Sequence, residues 1–465
     1  MPTLSDDEFR KALFQQFKDE ALLAHDDRYE PIYEEHPDLR QSDQASHIRE
    51  RILLSEVESL SLLSGFRGCG KSTELNRLAD ELRGQGYLVL YRDAREYLNL
   101  GDKIDIVTLL NAMAGAFSDA LKKSEIGDAL AETYWSRFVK FLRRTGMSLT
   151  EVGIKVRTPH KTAEASVKLA FTSTPDFRDK LRNFLATRLG ELDREVKAFL
   201  QECRAANKKK RGAHARIVFI FDQFEQIPST PAFSSQQQAI IEDTTRVFSD
   251  HRHLLAFEFM HTVITVPSWL KFVAKGLEVD LVPNLPLWKK DESRTDRPET
   301  YRVLRSLVGK RFDKVGPDAL SRFFGPAGSD DIHPQLDSLL AGSGGHFRDL
   351  FRLIREAIIR SRTLPLERST ADQALHTVRS SYLPIAVEDA RWLQRVADLR
   401  DSAYDRSKDE DVSRLAYFMN NYMVLYFING EEWYDIHPLI RGEVAEIVRR
   451  ATSLASPPAG GRGGE

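Results

Sequence analysis

Short apolar runs alternate with stretches of helical spacing through the first two-thirds of the chain. The runs are LSLLS (60–64), YLVLYRDA (87–94), IVFIF (217–221), HTVITVPSW (261–269) and LEVDLVPNLPL (277–287). IVFIF is apolar without interruption, as suits a central parallel strand buried on both faces. TELNRLADELRGQG places Leu75, Leu78 and Leu82 on one helical face, and IDIVTLLNAMAGAFSDALKK reads as a further helix. Strands that alternate with helices predict a doubly wound α/β sheet.

The pattern changes between the second run and the third. TEVGIKV (150–156) and AEASVKLAF (163–171) alternate like two strands of a hairpin joined by RTPHKT. Residues 176–211 then read as one long amphipathic helix that ends in the basic run Lys208 to Arg211. Farther on, Gly344-Gly345 opens a helix whose apolar face is Phe347, Leu350, Phe351, Ile354 and Ile358. Near the end, MVLYFI and EEWYDIH form two strands joined by Asn429-Gly430, a strong hairpin signal. With the helices ahead of it, this hairpin predicts a winged helix.

A length of 465 residues allows two to four domains, and 42% hydrophobic with 29% charged residues is ordinary for a globular protein. The net charge of −2 gives no argument for nucleic acid over the whole chain. The basic run at 208–211 could touch phosphates, but Lys and Arg also suit a solvated helix end, which is the reading we favour. Two cysteines, Cys69 and Cys203, make neither a disulfide framework nor a four-ligand zinc site. The N-terminus lacks a signal-peptide pattern and no run is long enough to span a bilayer, so a soluble, cytoplasmic protein is expected, without a membrane partner.

The sharpest chemistry is GFRGCGKST, residues 65–73, set between a strand and a helix. Glycines let successive N–H groups turn inward on phosphates, and the helix that follows adds its positive end. Gly65, Gly68, Cys69, Gly70, Lys71, Ser72 and Thr73 are therefore the candidate nucleotide cradle. Lys71 would reach the β- and γ-phosphates and Ser72 would hold Mg²⁺. Cys69 reads as a small residue that fits the turn, with a redox-sensitive thiol as the alternative. Asp222 closes the third run, where open α/β sheets bind ligands, and is the second Mg²⁺ candidate. Glu225, three residues on, is the candidate water-orienting base.

These two elements resemble the Walker A and Walker B motifs of AAA+ and STAND P-loop ATPases of the origin-recognition and NACHT-like branch. The resemblance covers about residues 23–450. It implies an α/β P-loop sheet, an all-α lid and a C-terminal winged helix. The expected organisation is an N-terminal helical segment at 1–55, an ATPase core at 56–292 with an insertion at about 145–212, a lid at 293–382, a winged helix at 383–451 and a flexible tail at 452–465. Arg348 would be the lid arginine that reads the γ-phosphate, unless it only pairs with Asp349 on the surface. Thr265, with Thr262 a weaker match, would be the polar residue after Walker B, or simply a β-branched strand residue. Tyr29 and Ile32 would pack on adenine, and Arg246 or Arg252 would complete a neighbour's site. Gln223 stands where many AAA+ members place the catalytic Glu.

The resemblance further implies ATP and Mg²⁺ as cofactors, a Mg-dependent ATPase, a homo-oligomer that assembles on ATP, and a separate partner protein. Prokaryotic conflict systems, antiviral defence included, use this architecture, so that setting is implied by analogy of fold. Two alternatives stand beside the switch ATPase. One is an ATP-gated DNA-binding regulator or loader that uses the winged helix, although its acidic, apolar DEDVSRLAYFMNNY argues for packing over DNA. The other is a scaffold that holds ATP without turnover.

Overall fold

Every residue of the strand Ile217–Asp222 is buried, as its unbroken apolar run requires. It belongs to a five-stranded sheet with the order β2–β3–β4–β1–β5, where β1 is Ser59–Gly65, β2 Leu88–Asp93, β3 Ile217–Asp222, β4 His261–Thr265 and β5 Asp280–Val282. The pairs β1–β4, β2–β3 and β3–β4 are parallel. This is an α/β sheet of the P-loop kind, with a glycine loop between β1 and the helix Lys71–Gly84. The computed structural model describes residues 4–36, 39, 43–148, 160–225, 234–274, 276–329, 332–403, 405 and 409–455. The first predicted insertion strand and part of the predicted tail lie outside these residues. Among them, no helix is long and apolar enough to cross a membrane.

The chain forms two units. One comprises Gln44–Gly65 and Glu74–Leu281, and the other Met1–Asp43, Phe66–Thr73 and Val282–Glu465. In the sheet unit the helix Ile106–Lys122 is capped by Asp105, whose side chain accepts from the Thr108 N–H at 2.8 Å. The second insertion strand is a correction. Residues 163–171 lie in the helix His160–Ser173. Ala163, Val167 and Phe171 are buried at a spacing of four while Leu169 is 65% exposed, so the helical period wins over the alternating one. The long helix is also two, Pro175–Leu185 and Leu189–Arg211, with neither Gly nor Pro at the break.

In the other unit the helix Asp6–Gln16 starts with a capping box between Ser5 and Glu8. It packs on the helices Pro298–Asp313 and Phe347–Arg360. Gly344 and Gly345 have φ of +63° and +78° and separate the helix Pro334–Ser343 from Phe347–Arg360. A Cβ on Gly345 would meet the Leu285 carbonyl oxygen at 1.8 Å, so only glycine fits there. The hairpin predicted from Asn429-Gly430 is present as β6 (Val424–Asn429) and β7 (Glu431–Ile436), with Gly430 at φ +79°. The helices Val387–Leu399 and Asp409–Asn420 precede it and Pro438–Ala455 follows.

Candidate functional site

Gly65, Gly68 and Gly70 all have positive φ, +148°, +87° and +98°. Such a backbone strongly favours glycine and lets main-chain N–H groups converge. Lys71 begins the helix and is 4% exposed; its Nζ donates to the Phe66 carbonyl at 2.8 Å. Cys69 is buried in the turn, where its N–H donates to the same carbonyl at 3.2 Å. Ser72 follows Lys71 in the first helical turn, where its N–H lies at the positive helix end. Thr73 accepts the Leu22 N–H at 3.1 Å, so the N-terminal segment is fastened to the loop's end.

Arg348 lies against this loop. Its N–H donates to the Gly68 carbonyl at 3.2 Å, and a Cβ on Gly68 would stand 2.4 Å from the Arg348 Cβ. The guanidinium bonds the Tyr422 hydroxyl at 3.0 Å and pairs with Asp19 at 2.6 Å, while its Nε is buried without a hydrogen-bond partner. The surface pairing with Asp349 is not what forms. Asp349 is fully buried and binds Tyr382, Arg352, His346 and His437 at 2.6, 2.8, 3.0 and 3.3 Å. Burial would raise its pKa, but the bonds from His346 and His437 outweigh that and hold it well below the usual carboxylate range. Burial lowers the pKa of His437, against the pull of Asp349.

His346 completes the link, with its Nε2 2.9 Å from the Arg67 carbonyl oxygen. Sequence reasoning missed His346, Tyr382, Tyr422 and His437, and named Asp349 only as a surface partner of Arg348. The Gly-Gly-His entry to the helix was the one local signal, and the other partners are far apart along the chain.

In the sheet unit, Asp222 is 1% exposed at the end of β3. It accepts from the Tyr91 hydroxyl at 2.5 Å and from the Gln223 N–H at 2.7 Å. Gln223 has φ +69°, a left-handed backbone that strains a non-glycine residue and is concentrated at functional turns. Glu225 is buried just beyond. Thr265 Oγ1 accepts the Phe224 N–H at 3.1 Å, which fixes the turn carrying both carboxylates to the end of β4. In this strand order the chain leaves β1 towards the β2 edge of the sheet and leaves β4 towards the β5 edge. The carboxyl ends of β1 and β4 therefore form the switch point at which open α/β sheets bind ligands.

The other candidates are less telling. Tyr29 is half-buried and its carbonyl accepts from Lys310 at 2.9 Å, and Ile32 is buried. Arg246 is exposed on the helix Ser235–Asp250, 3.8 Å from Asp243, and Arg252 starts the short helix Arg252–Leu255.

No protein-family model matches the chain, and no curated protein is similar to it in sequence. Among solved structures, the chain is similar to the Aeropyrum pernix ORC2 protein in its ADPNP–ADP complexes at 12% identity and a TM-score of 0.34, over 94% of this chain and 98% of that one. For the ADP form of that protein the values are 13% and 0.32, over 90% and 94%. For Cdc6p from Pyrobaculum aerophilum they are 9% and 0.32, over 96% and 99%.

Proposed function

We propose that the protein binds ATP with Mg²⁺ at the 65–73 loop, hydrolyses it, and uses the nucleotide as a switch. The observation that supports this most is Arg348, held against Gly68 although the two are far apart in the chain. An arginine beside a glycine loop, with a buried Nε that has no hydrogen-bond partner, suits an anionic ligand. The residues fit a triphosphate: a buried lysine, three glycines with positive φ and a helix N-terminus.

In this reading the loop N–H groups and Lys71 bind the phosphates, and Arg348 contacts the γ-phosphate. Ser72 and Asp222 would hold Mg²⁺, which when bound neutralises charge on the phosphates. Glu225 orients the attacking water, and Thr265 keeps its turn in place. The C-terminal helices and hairpin act as lid and winged helix, Tyr29 packs on the base, and the output is ATP-dependent self-assembly that acts on a partner protein, in a setting such as prokaryotic conflict.

Titration with a fluorescent ATP analogue tests the reading. Lys71→Ala is expected to weaken binding on the order of 100-fold, as loss of a charge-assisted phosphate contact in a buried site does. Glu225→Gln is expected to retain binding and lose about 100-fold in turnover. Wild-type affinity in Lys71→Ala would refute the loop as the nucleotide site, and an unchanged rate in Glu225→Gln would remove Glu225 as the base while leaving binding intact.

A further inference from the structure

A cavity of about 350 Å³ opens among the turn that carries Trp288 and Arg294, the helix Pro334–Ser343 and the start of the helix Pro438–Ala455. Two arginines line it, Arg294 and Arg441. Both are tied to one carboxylate, Asp435, which is fully buried on β7: Arg294 at 2.8 and 3.1 Å, Arg441 at 3.0 Å. A third guanidinium, of Arg400, lies 4.0 Å from the same carboxylate.

Three guanidinium groups thus gather on one buried carboxylate, and the other acids near them, Asp296 on the cavity wall and Asp291 and Asp398 beside Arg400, make no hydrogen bond to any of the three. Asp435 has little left to give, because it also accepts from the Trp288 indole N–H at 3.2 Å and the Ile436 N–H at 2.8 Å. The Nε atoms of Arg441 and Arg400 are buried without a hydrogen-bond partner. Burial is the main cause that lowers the Arg441 pKa to about 10; Asp435 opposes it, and Arg294 and Arg400 add to it. Arg441 also falls in the first turn of an 18-residue helix, where the backbone dipole favours an anion over a cation. Among the described residues Asp296 is the only acidic one on the cavity wall, and it is exposed.

We propose that this cavity binds a small organic phosphate, with the phosphate held at the helix end by the guanidinium N–H groups of Arg294 and Arg441 that Asp435 and the Ala397 carbonyl leave free. A guanidinium pair matches phosphate oxygens bidentately. A phosphate monoester carries a charge near −2 at neutral pH and offers three oxygens to the two guanidinium groups, whereas a single carboxylate offers one charge and two oxygens. The remaining wall, Leu375 and Leu439 with the Ser338 and Tyr301 hydroxyl groups, faces the organic part, and the volume suits a small ligand. The elements it joins, the 298–313, 334–343 and 438–455 helices, are those we assign to lid and winged helix, so occupancy fastens one to the other. This site does not depend on the nucleotide reading.

The test is calorimetric titration of the full chain carrying Lys71→Ala, which silences the glycine loop, with glycerol 3-phosphate, inorganic phosphate and succinate as probes. Saturable binding of glycerol 3-phosphate at one per chain is expected. Arg441→Gln or Arg294→Gln should weaken it at least tenfold. Ala341→Trp fills the cavity, keeps every arginine and should abolish it. Arg294→Lys keeps the charge without the fork and should also weaken it, which guards against a variant that fails to fold. No saturable binding by either phosphate probe, full affinity in Ala341→Trp, or succinate binding as tightly as glycerol 3-phosphate would overturn the proposal. Inorganic phosphate binding as tightly as glycerol 3-phosphate would remove the organic part from it.

Discussion

Asp349 concentrates what single side chains do here. It is a carboxylate without solvent access that gathers bonds from two histidines, a tyrosine and an arginine, and His346 passes the connection on to the Arg67 carbonyl of the glycine loop. His346 is a positioning residue, since its nearest loop atom is a main-chain oxygen. His346→Ala is expected to weaken ATP-analogue binding about fivefold, corresponding to about 1 kcal/mol for one lost hydrogen bond. His346→Asn, which can still donate to Arg67, should recover part of that. Asp349→Ala is a different case because it strands several buried polar partners, and a loss of about 3 kcal/mol in urea unfolding is expected. If His346→Ala binds as wild type does, the Arg67 contact does not shape the loop. Gly68→Ala should also fail to bind, because its Cβ would collide with Arg348 in a backbone already at φ +87°.

Among the elements, β4 carries a titration that reaches stability. His261 lies on β4 with its Nδ1 3.0 Å from the Ser59 hydroxyl, and its Nε2 is buried without a hydrogen-bond partner. Burial first, then the nearby Arg216, lowers its pKa from the ordinary 6.5 to about 4. The folded state thus resists a proton that the unfolded chain accepts. From pH 6.5 down to about 4 the fold loses about 1.4 kcal/mol per pH unit from this group, and above pH 6.5 it loses nothing. Urea midpoints at pH 7.5 and 5 should therefore differ by less in His261→Gln than in wild type; equal differences would dismiss the effect.

The elements also show what was legible in the sequence. Four of the sheet strands, the glycine loop and the Asn-Gly hairpin obey short-range rules and appear where those rules put them, while of the run 277–287 only Asp280–Val282 is a strand. AEASVKLAF satisfies the two-residue and the four-residue period alike, and only packing of Val167 and Phe171 in the insertion chooses between them. Arg348 was readable as a cation in an odd place on its helix. Its true partners, Asp19 and Tyr422, were not, because long-range pairing leaves no local trace.

At the scale of the whole chain, the loop has a particular position. Between residues 44 and 281 only Phe66–Thr73 belongs to the unit of C-terminal helices, whereas the strand before it and the helix from Glu74 onward belong to the sheet unit. A ligand that orders this loop therefore acts on a segment where the chain passes from one unit to the other and back. Such a ligand present at 100 times its Kd would stabilise the folded chain by about 2.7 kcal/mol, enough to bias a conformational equilibrium. Charge bears on which output to expect. A net −2 and the acidic, apolar sequence DEDVSRLAYFMNNY offer a phosphate backbone little, so we expect protein assembly and no DNA binding. Light scattering after size exclusion, with and without ATP and Mg²⁺, measures this directly. A mass increase that requires ATP and is lost in Lys71→Ala is the expected result. An unchanged mass with ATP still bound would exclude assembly as the output. DNA affinity that falls steeply with salt would then identify a nucleotide-gated DNA binder, because release of phosphate counterions leaves that dependence and protein assembly does not.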